Sequence, residues 1–537
     1  MLPPDIDSFA ALRDGFQWHI PERFNIAEAC AARHASAAPD AIALILDQGS
    51  DQNPQKMTWQ QLDQCAQKCA ALLAGFGVAR GDRVAIQLPQ GWQAVAIHLA
   101  AYRLGAIAVP LATQFGPQAI GYRIAKARPK IFVATSEALA RWRQSEIAPP
   151  RETIALCVDG AAPDALEFDP AFEAAKPLAT IADTGPDDPA MMLFTSGTTG
   201  QPNGVLHGHR VLLGHLPGIQ LAQELMPQQG DVFWTPSDWA WAGGLLNALL
   251  PALYFQVPVV AANAPRFSAS WALDVMARHR VTNAFMPPTA IRMIAAHQGK
   301  TPDLHLRAVG AAGEQLGAKA HAAATHRLGA PVNEFYGQTE CNAIIGSCAR
   351  LGISNPASMG QQVPGHTVRL RTQDGKIVEH GEGEIIIDAR SPVALIGYFE
   401  DAAASAEKIV DGWIRTGDLA SLSKEGWFTF KSRNDDIITS AGYRIGPAEI
   451  EECLRSHDHV IEAAVVGLAD AERTQTVAAF VTVTDAGKKI VDLESALKAH
   501  VRDRLSAHLY PRHVEIVDRI PVTESGKIMR RLFRDRT

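Results

Sequence analysis

Residues 83–111 read RVAIQLPQGWQAVAIHLAAYRLGAIAVPL, and this stretch decides the architecture. Arg83 to Leu88 is a short apolar run bounded by Pro89, which predicts a strand. Trp92 to Leu104 predicts a helix, Gly105 stops it, and Ala106 to Leu111 is a second short apolar strand. Just upstream, Thr58 and Gln61 make a capping-box signature at the head of an apolar-periodic helix that runs to about Leu73. Gly75, Gly77 and Gly81 then punctuate a turn. Strand and helix alternate, and the pattern recurs at Lys130 to Ala134, Val257 to Ala261 and Ala284 to Met286. Such alternation predicts an α/β fold with largely parallel strands. Leu245 to Ala262 is broken by Asn247, Pro251, Gln256 and Pro258, too often for a membrane span of about 20 apolar residues. It reads as a buried helix followed by a buried strand.

Further along the chain the texture changes. After about residue 360 short strands with Gly turns dominate (Thr367 to Leu370, Gly383 to Ile387, Trp427 to Phe430), suggesting a small β subdomain. Beyond Asp435 the order is strand, helix, strand, strand, helix, strand, the size of a small α+β domain. The segment Ser432 to Asp436 between them is short, polar and charged; it reads as a surface loop or as a hinge.

Composition narrows the function. The chain has 537 residues, 50 basic and 57 acidic, a net charge of −7, which argues against a nucleic-acid partner. Seven cysteines with no Cys-x-x-Cys pair suggest neither a zinc ribbon nor a redox dithiol, and a reducing cytoplasmic setting fits them. Cys65 and Cys69 read as core thiols on one helix face. Residues 1–16 carry no basic and apolar leader pattern. His207-x-His209 reads as polar surface at a helix start rather than a metal site.

The strongest chemical signal is Leu193-Phe194-Thr195-Ser196-Gly197-Thr198-Thr199-Gly200-Gln201-Pro202-Asn203-Gly204-Val205. An apolar strand runs into a loop dense in glycine and hydroxyl residues. Glycines let backbone N–H groups turn toward an anion and hydroxyls add donors, which suits a triphosphate. The Gly-x-x-x-x-Gly-Lys-Ser/Thr loop is absent. Four more segments follow in order: Glu334-Phe335-Tyr336-Gly337-Gln338-Thr339-Glu340; Gly412 to Asp418; Ser432 to Glu451; and Pro521 to Lys527.

Together these resemble the motifs of the adenylate-forming superfamily, which includes acyl-CoA synthetases, and the resemblance spans nearly the whole chain. It implies a large N-terminal domain, 1–434, of two α/β subdomains with a small β-barrel-like one. It also implies a small C-terminal domain, 435–537, that rotates about a hinge near Asp435. The implied activity is acid:CoA ligation by way of acyl-AMP, with ATP, Mg²⁺ and CoA. Thr195, Ser196, Gly197, Thr198, Thr199 and Gly200 are then the phosphate loop, with Glu334 to Gln338 beside the nucleotide. Thr339 meets the α-phosphate, Glu340 the Mg²⁺, Asp418 the ribose, and Arg433 and Arg444 the nucleotide and phosphates. Gly313-Glu314-Gln315 stands where the family has an adenine-contacting Gly-Glu-Pro, with Gln315 in place of Pro.

By the same resemblance Lys527 is the catalytic cation, stabilising charge as it develops, and worth roughly 10²-fold or more in rate. Its segment also matches the pattern at which related synthetases are switched off by lysine acetylation, which implies an acetyltransferase partner. Gly442 and Tyr443 would line the CoA tunnel after rotation. The family's loop lysine is Asn203 here, which predicts weaker pyrophosphate holding.

Trp234 to Trp241 resembles a stretch of acetyl- and medium-chain acyl-CoA synthetases, so Trp241, Ala242, Gly243, Ala312 and Gly337 are the expected acyl pocket. Acetate-specific relatives carry a Trp where this chain has Gly337. Its loss should free room for several methylenes, each worth about 0.8 kcal/mol when buried. The expected acid is short and branched to medium-chain aliphatic, with aromatic acids also open. A homodimer is a family expectation. Two alternatives stand beside this reading: an enzyme that loads an acyl group onto a carrier protein, and a nucleotide-binding regulator weakened in catalysis.

Overall fold

The computed structural model describes all residues except 3–7, 50–51, 196–200, 265, 441–442, 471–473, 506–508, 524–527 and 535–537; of residues 435, 439, 443, 444 and 474 it describes the backbone alone.

The opening stretch folds as expected. Strand Arg83–Gln87 lies between Ile107–Pro110 and Ile131–Ala134, parallel to both. Helix Trp92–Arg103 crosses between the first two and is buried from Ala94 onward. Helix Trp59–Gly75 packs on it; its capping box is complete, with Thr58 Oγ1 accepting from Gln61 N at 3.3 Å and Gln61 Oε1 accepting from Thr58 N at 2.9 Å. Arg103 and Asp63 form an ion pair between these helices, both almost wholly buried, which locks their register. Cys65 and Cys69 are core thiols of the first helix, and burial raises both above the ordinary thiol range.

Two large sheets are built this way. One has eight strands; its parallel part is continued by the antiparallel strands Gly204–Gly208 and Gly397–Tyr398. The other has nine, with Phe233–Trp234, Asn283–Met286, Ala308–Ala311 and Val332–Gln338 parallel at its centre. Apolar residues fill both faces of these central strands, as parallel sheets require.

The third subdomain differs from expectation. Its six strands, around Gly381–Asp388 and Trp413–Leu422, form an open sheet and do not close into a barrel. Strand Ile377–Val378 is two residues long and holds one edge, so its partner Val368–Arg371 has no second long neighbour to complete a ring. The sheet instead buries one face, with Ile385, Ile387, Ile414 and Phe428, against Cys341–Gly346 of the second large sheet.

After Asn434 comes a separate core. Hairpin Ile438–Ser440 and Tyr443–Ile445, helix Pro447–Arg455, strands Val460–Asp470 and Thr474–Val483, helix Leu493–Arg504 and strand His513–Ile516 follow in chain order. The two long strands pair antiparallel over ten registered positions, and His513–Ile516 joins in parallel. Both helices pack on one face through Ile450, Leu454, Leu497 and Val501.

Candidate active site

The large sheets, the open sheet and the C-terminal unit meet at one cleft of about 590 Å³. Strand Pro189–Phe194 turns back into Gly204–Gly208, with Phe194 opposite Gly204. The neck between them is closed by Thr195 N to Asn203 O and Asn203 N to Thr195 Oγ1, both 3.0 Å. Thr195, Gln201 and Asn203 line the cleft. Ser196, Gly197, Thr198, Thr199 and Gly200 lie outside the described residues.

Opposite the hairpin, strand Val332–Gln338 reverses at Thr339 and Glu340 into Cys341–Gly346. Tyr336, Gln338 and Asp418 form one hydrogen-bonded unit. Tyr336 OH and Gln338 Nε2 both donate to Asp418 Oδ2 at 2.6 Å, and Gln338 Nε2 also reaches Thr416 O at 2.8 Å. Gly417, at φ +73°, breaks the regular register of strand Trp413–Leu422 just before Asp418. Burial and the Asp418 charge hold the Tyr336 phenol well above its ordinary pKa, so it stays a donor. Asp418 Oδ2 thus carries two donors, and Oδ1 lies 3.9 Å from Arg433 Nε.

Glu340 is 8 % exposed and accepts from Tyr398 OH at 2.6 Å, with Lys408 Nζ 3.7 Å away. A partly sheltered carboxylate at the cleft wall is suitable for a hard cation bound through oxygen, so these residues fit Mg²⁺.

Gly313, Glu314 and Gln315 line the same cleft. Arg292 and Thr289 hold Glu314, at 2.9 and 2.6 Å. Gln315 Nε2 donates to Glu452 of the C-terminal unit at 2.9 Å. Glu334 Oε2 accepts from Leu316 N at 3.1 Å, and burial pushes its carboxyl up to about 7. The segment on either side of Lys527 reaches the cleft through Thr523 and Ile528. Lys527 itself lies outside the described residues, as do Gly442 and the side chains of Asp435, Tyr443 and Arg444.

This convergence coincides with a match in sequence. The profile of the AMP-binding enzyme family matches residues 31–399, and that of the AMP-binding enzyme C-terminal domain matches 449–527. The chain is a member of the AMP-binding enzyme family. Among relatives, an uncharacterized acyl-CoA ligase of Bacillus subtilis, YtcI, is 32% identical over 93% of this chain and 94% of its own. Human mitochondrial acyl-coenzyme A synthetase ACSM4 is 30% identical over 89% and 84%. A Brucella canis acyl-CoA synthetase structure superposes with a TM-score of 0.74 at 31% identity over 98% of each chain. A benzoate CoA ligase from Burkholderia xenovorans gives 0.84 at 27% over 95% and 100%.

In this AMP-binding enzyme two glycines of the expected acyl pocket are closely packed. A Cβ on Gly337 would stand 2.5 Å from Ala343 N and from Asn342 Cα. That glycine admits a neighbouring backbone and opens no hole. A Cβ on Gly243 would meet the Phe285 ring at 2.7 Å, so Phe285 fills that place. Phe285 packs on Phe335, centroids 5.8 Å apart. Trp241 stands edge-on to Phe115 at 5.6 Å, while Ala242 and Ala312 pack against the main core.

Two histidines were misplaced in the sequence reading and one lysine was missed. His207 and His209 are not surface groups: His207 lies in the strand after the loop, 1 % exposed, with Nε2 2.8 Å from Thr339 O, and His209 Nδ1 accepts from Ile26 N. They are inward because the hairpin is covered by the open sheet and the N-terminal helices. Burial lowers both imidazoles to about 4. Lys408 is the other addition: it lines the cleft, and its Nζ donates to Gln338 Oε1 at 3.1 Å. Its only sequence signal is a place ten residues before Asp418 in an otherwise Ala-rich helix.

Proposed function

We propose that this chain is an ATP-dependent, AMP-forming acid:CoA ligase acting on an acid larger than acetate. The observation that carries the reading is the single cleft. Thr195 and Asn203, Glu314 and Gln315, Tyr336 to Glu340, Asp418, and Thr523 and Ile528 all face it.

In the first half-reaction the acid's carboxylate oxygen bonds to the α-phosphorus of ATP and pyrophosphate leaves. In the second, CoA thiolate bonds to the acyl carbon and AMP leaves. Glu314 and Gln315 border the base. Asp418 Oδ1 accepts from the ribose hydroxyls while Tyr336 and Gln338 hold its other oxygen. Glu340 would hold the Mg²⁺, which would supply screening of the phosphate charge when bound. Thr339 meets the α-phosphate, its carbonyl side fixed by His207. Lys527 supplies the cation at the reacting oxygens when the C-terminal unit, hinged near Asp435, faces the cleft. Rotation about that hinge would then bring Gly442 and Tyr443 to the CoA arm. Arg433 contacts the nucleotide on the ribose side, and Arg444 belongs near the phosphates.

Relatives with the acyl-CoA synthetase name and the benzoate ligase fold match support an acid with a hydrocarbon body. A homodimer and a cytoplasmic setting belong to the same proposal; no helix among the described residues is long and apolar enough to cross a membrane.

The test is a pooled incubation of protein, ATP, Mg²⁺ and CoA with straight-chain, branched and aromatic acids, read by mass spectrometry. A thioester longer than acetyl-CoA, with AMP, is the expected result. Acetyl-CoA as best product would overturn the substrate reading. AMP and pyrophosphate without any thioester would move the acyl acceptor to a carrier protein.

A further inference from the structure

The sequence of residues 195–204, TSGTTGQPNG, read above as the phosphate loop, carries no basic side chain. A triphosphate nevertheless brings several negative charges to that place. Several cations that line the cleft are committed elsewhere. Arg530 binds Glu451 and Asp436, Arg534 binds Asp436, and Arg455 binds Glu462. Arg433 lies toward Asp418 on the ribose side.

Lys408 is placed differently. Strand Gly397–Tyr398 pairs with the return strand of the loop hairpin, Tyr398 opposite Val205, and Phe399 N donates to Gly204 O at 2.7 Å. Helix Ala402–Lys408 is tied to that strand by Ser405 Oγ, which accepts from Tyr398 N at 2.9 Å. The loop's exit and the helix bearing Lys408 are therefore one rigid unit. The side chain of Lys408 is 15% exposed and faces the cleft that Thr195 and Asn203 line. Its ammonium donates to Gln338 Oε1 and lies 3.7 Å from Glu340 Oε1, leaving a third N–H for a ligand. Glu340 is the carboxylate that a hard cation would take, and with its charge so satisfied the Lys408 ammonium would be available to phosphate oxygens.

We propose that Lys408 is a side-chain cation this chain sets against the triphosphate of ATP, doing from helix Ala402–Lys408 what a basic residue in the loop would do. The inference rests on ATP being the nucleotide, as proposed above. Lys408 is a binding residue for the phosphates, not for the nucleoside. It acts on ATP capture and on pyrophosphate departure, and it makes no demand on the acid or on CoA.

The experiment measures equilibrium binding of the magnesium complex of a non-hydrolysable ATP analogue, and of adenosine, without acid or CoA. Losing one charge-assisted contact should weaken the ATP analogue by about tenfold to a hundredfold in Lys408→Gln. Adenosine affinity should stay within about twofold. Lys408→Arg, which keeps the charge, should hold the analogue within about threefold. Adding Asn203→Lys to Lys408→Gln should recover most of the loss, because the charge returns to the same phosphates from the loop. Unchanged analogue binding in Lys408→Gln overturns the proposal. An equal loss for adenosine, or a loss that neither Lys408→Arg nor Asn203→Lys repairs, shows a structural role and also overturns it. Should Lys408→Gln fail to fold, the Lys408→Arg and Lys408→Met pair decides by the same ratio of analogue to adenosine affinity. These readouts are independent of thioester formation, so a failure of the ligase reading would leave them standing.

Discussion

Gln315 spans the two parts of the molecule. Its amide donates to Glu452 Oε2 at 2.9 Å, from the nucleotide side of the cleft to helix Pro447–Arg455. Two other pairs make the same crossing. Arg292 lies 3.2 Å from Glu462, both under about a quarter exposed, and Lys319 lies 3.2 Å from Asp458, both largely exposed. The last adds little, since exposed pairs seldom exceed about 1 kcal/mol and screening removes most of that. The Gln315 bond is to a charged acceptor and half-sheltered, so about 1–1.5 kcal/mol is reasonable. Gln315→Ala should then shift the balance between this arrangement, with Thr523 and Ile528 at the cleft, and the rotated one by about fivefold to tenfold. The effect should fall on one half-reaction. ATP–pyrophosphate exchange driven by the acid should slow by about that factor, while thioester formation from supplied acyl-AMP and CoA should hold or rise. Glu452→Gln should give the same split, because the acceptor's charge is what strengthens the bond. Equal losses in both half-reactions, or none in either, would refute the view that these contacts set the domain balance.

Three other outcomes are expected. Lys527→Ala should abolish pyrophosphate exchange yet still convert supplied acyl-AMP to thioester, and Gly442→Leu should do the reverse; loss of the same step in both would end the two-conformation mechanism. Gly337→Ala should destabilise the fold by about 1–3 kcal/mol in a thermal melt, because its Cβ would press on the backbone of Asn342 and Ala343; a stable variant that now prefers acetate would restore the view that Gly337 is open room. Glu334 holds a proton up to about 7 through burial, against about 4.5 in the unfolded chain, so its contribution is full below pH 4.5 and lost as pH rises through 7. Glu334→Gln should therefore gain stability over the parent between pH 5 and pH 8, by at most about 3 kcal/mol, and a pH-independent difference would contradict that account.

Much of the fold was legible because it is local. The capping box at Thr58, the glycine stop at Gly105 and the apolar runs on either side of Trp92–Arg103 are read within a few residues of where they act. The order of strands and helices after Asp435 was legible for the same reason. The motif residues could also be named in sequence, since strand-to-loop reversals such as Val332–Gln338 into Cys341–Gly346 keep their glycines and acids close together. Contacts across large separations were not. His207 was misplaced at the surface, because the covering sheet begins well over a hundred residues later. The closing of a barrel was misjudged for a similar reason: strand order is a property of pairing, and a two-residue edge strand cannot be weighed from its own letters.

The amino-acid sequence by itself determined the alternation of helix and strand, the phosphate-loop composition, the family and the chemistry its acids and amides can perform. Each of these depends on neighbours along the chain. Only the tertiary structure decided that Gly337 is filled by backbone and Gly243 by Phe285, that Gln315 reaches Glu452, and that Lys408 stands between Gln338 and Glu340 beside a loop without a cation. Those are distances between segments that the chain brings together only when its apolar faces are buried, and no spacing along the chain encodes them.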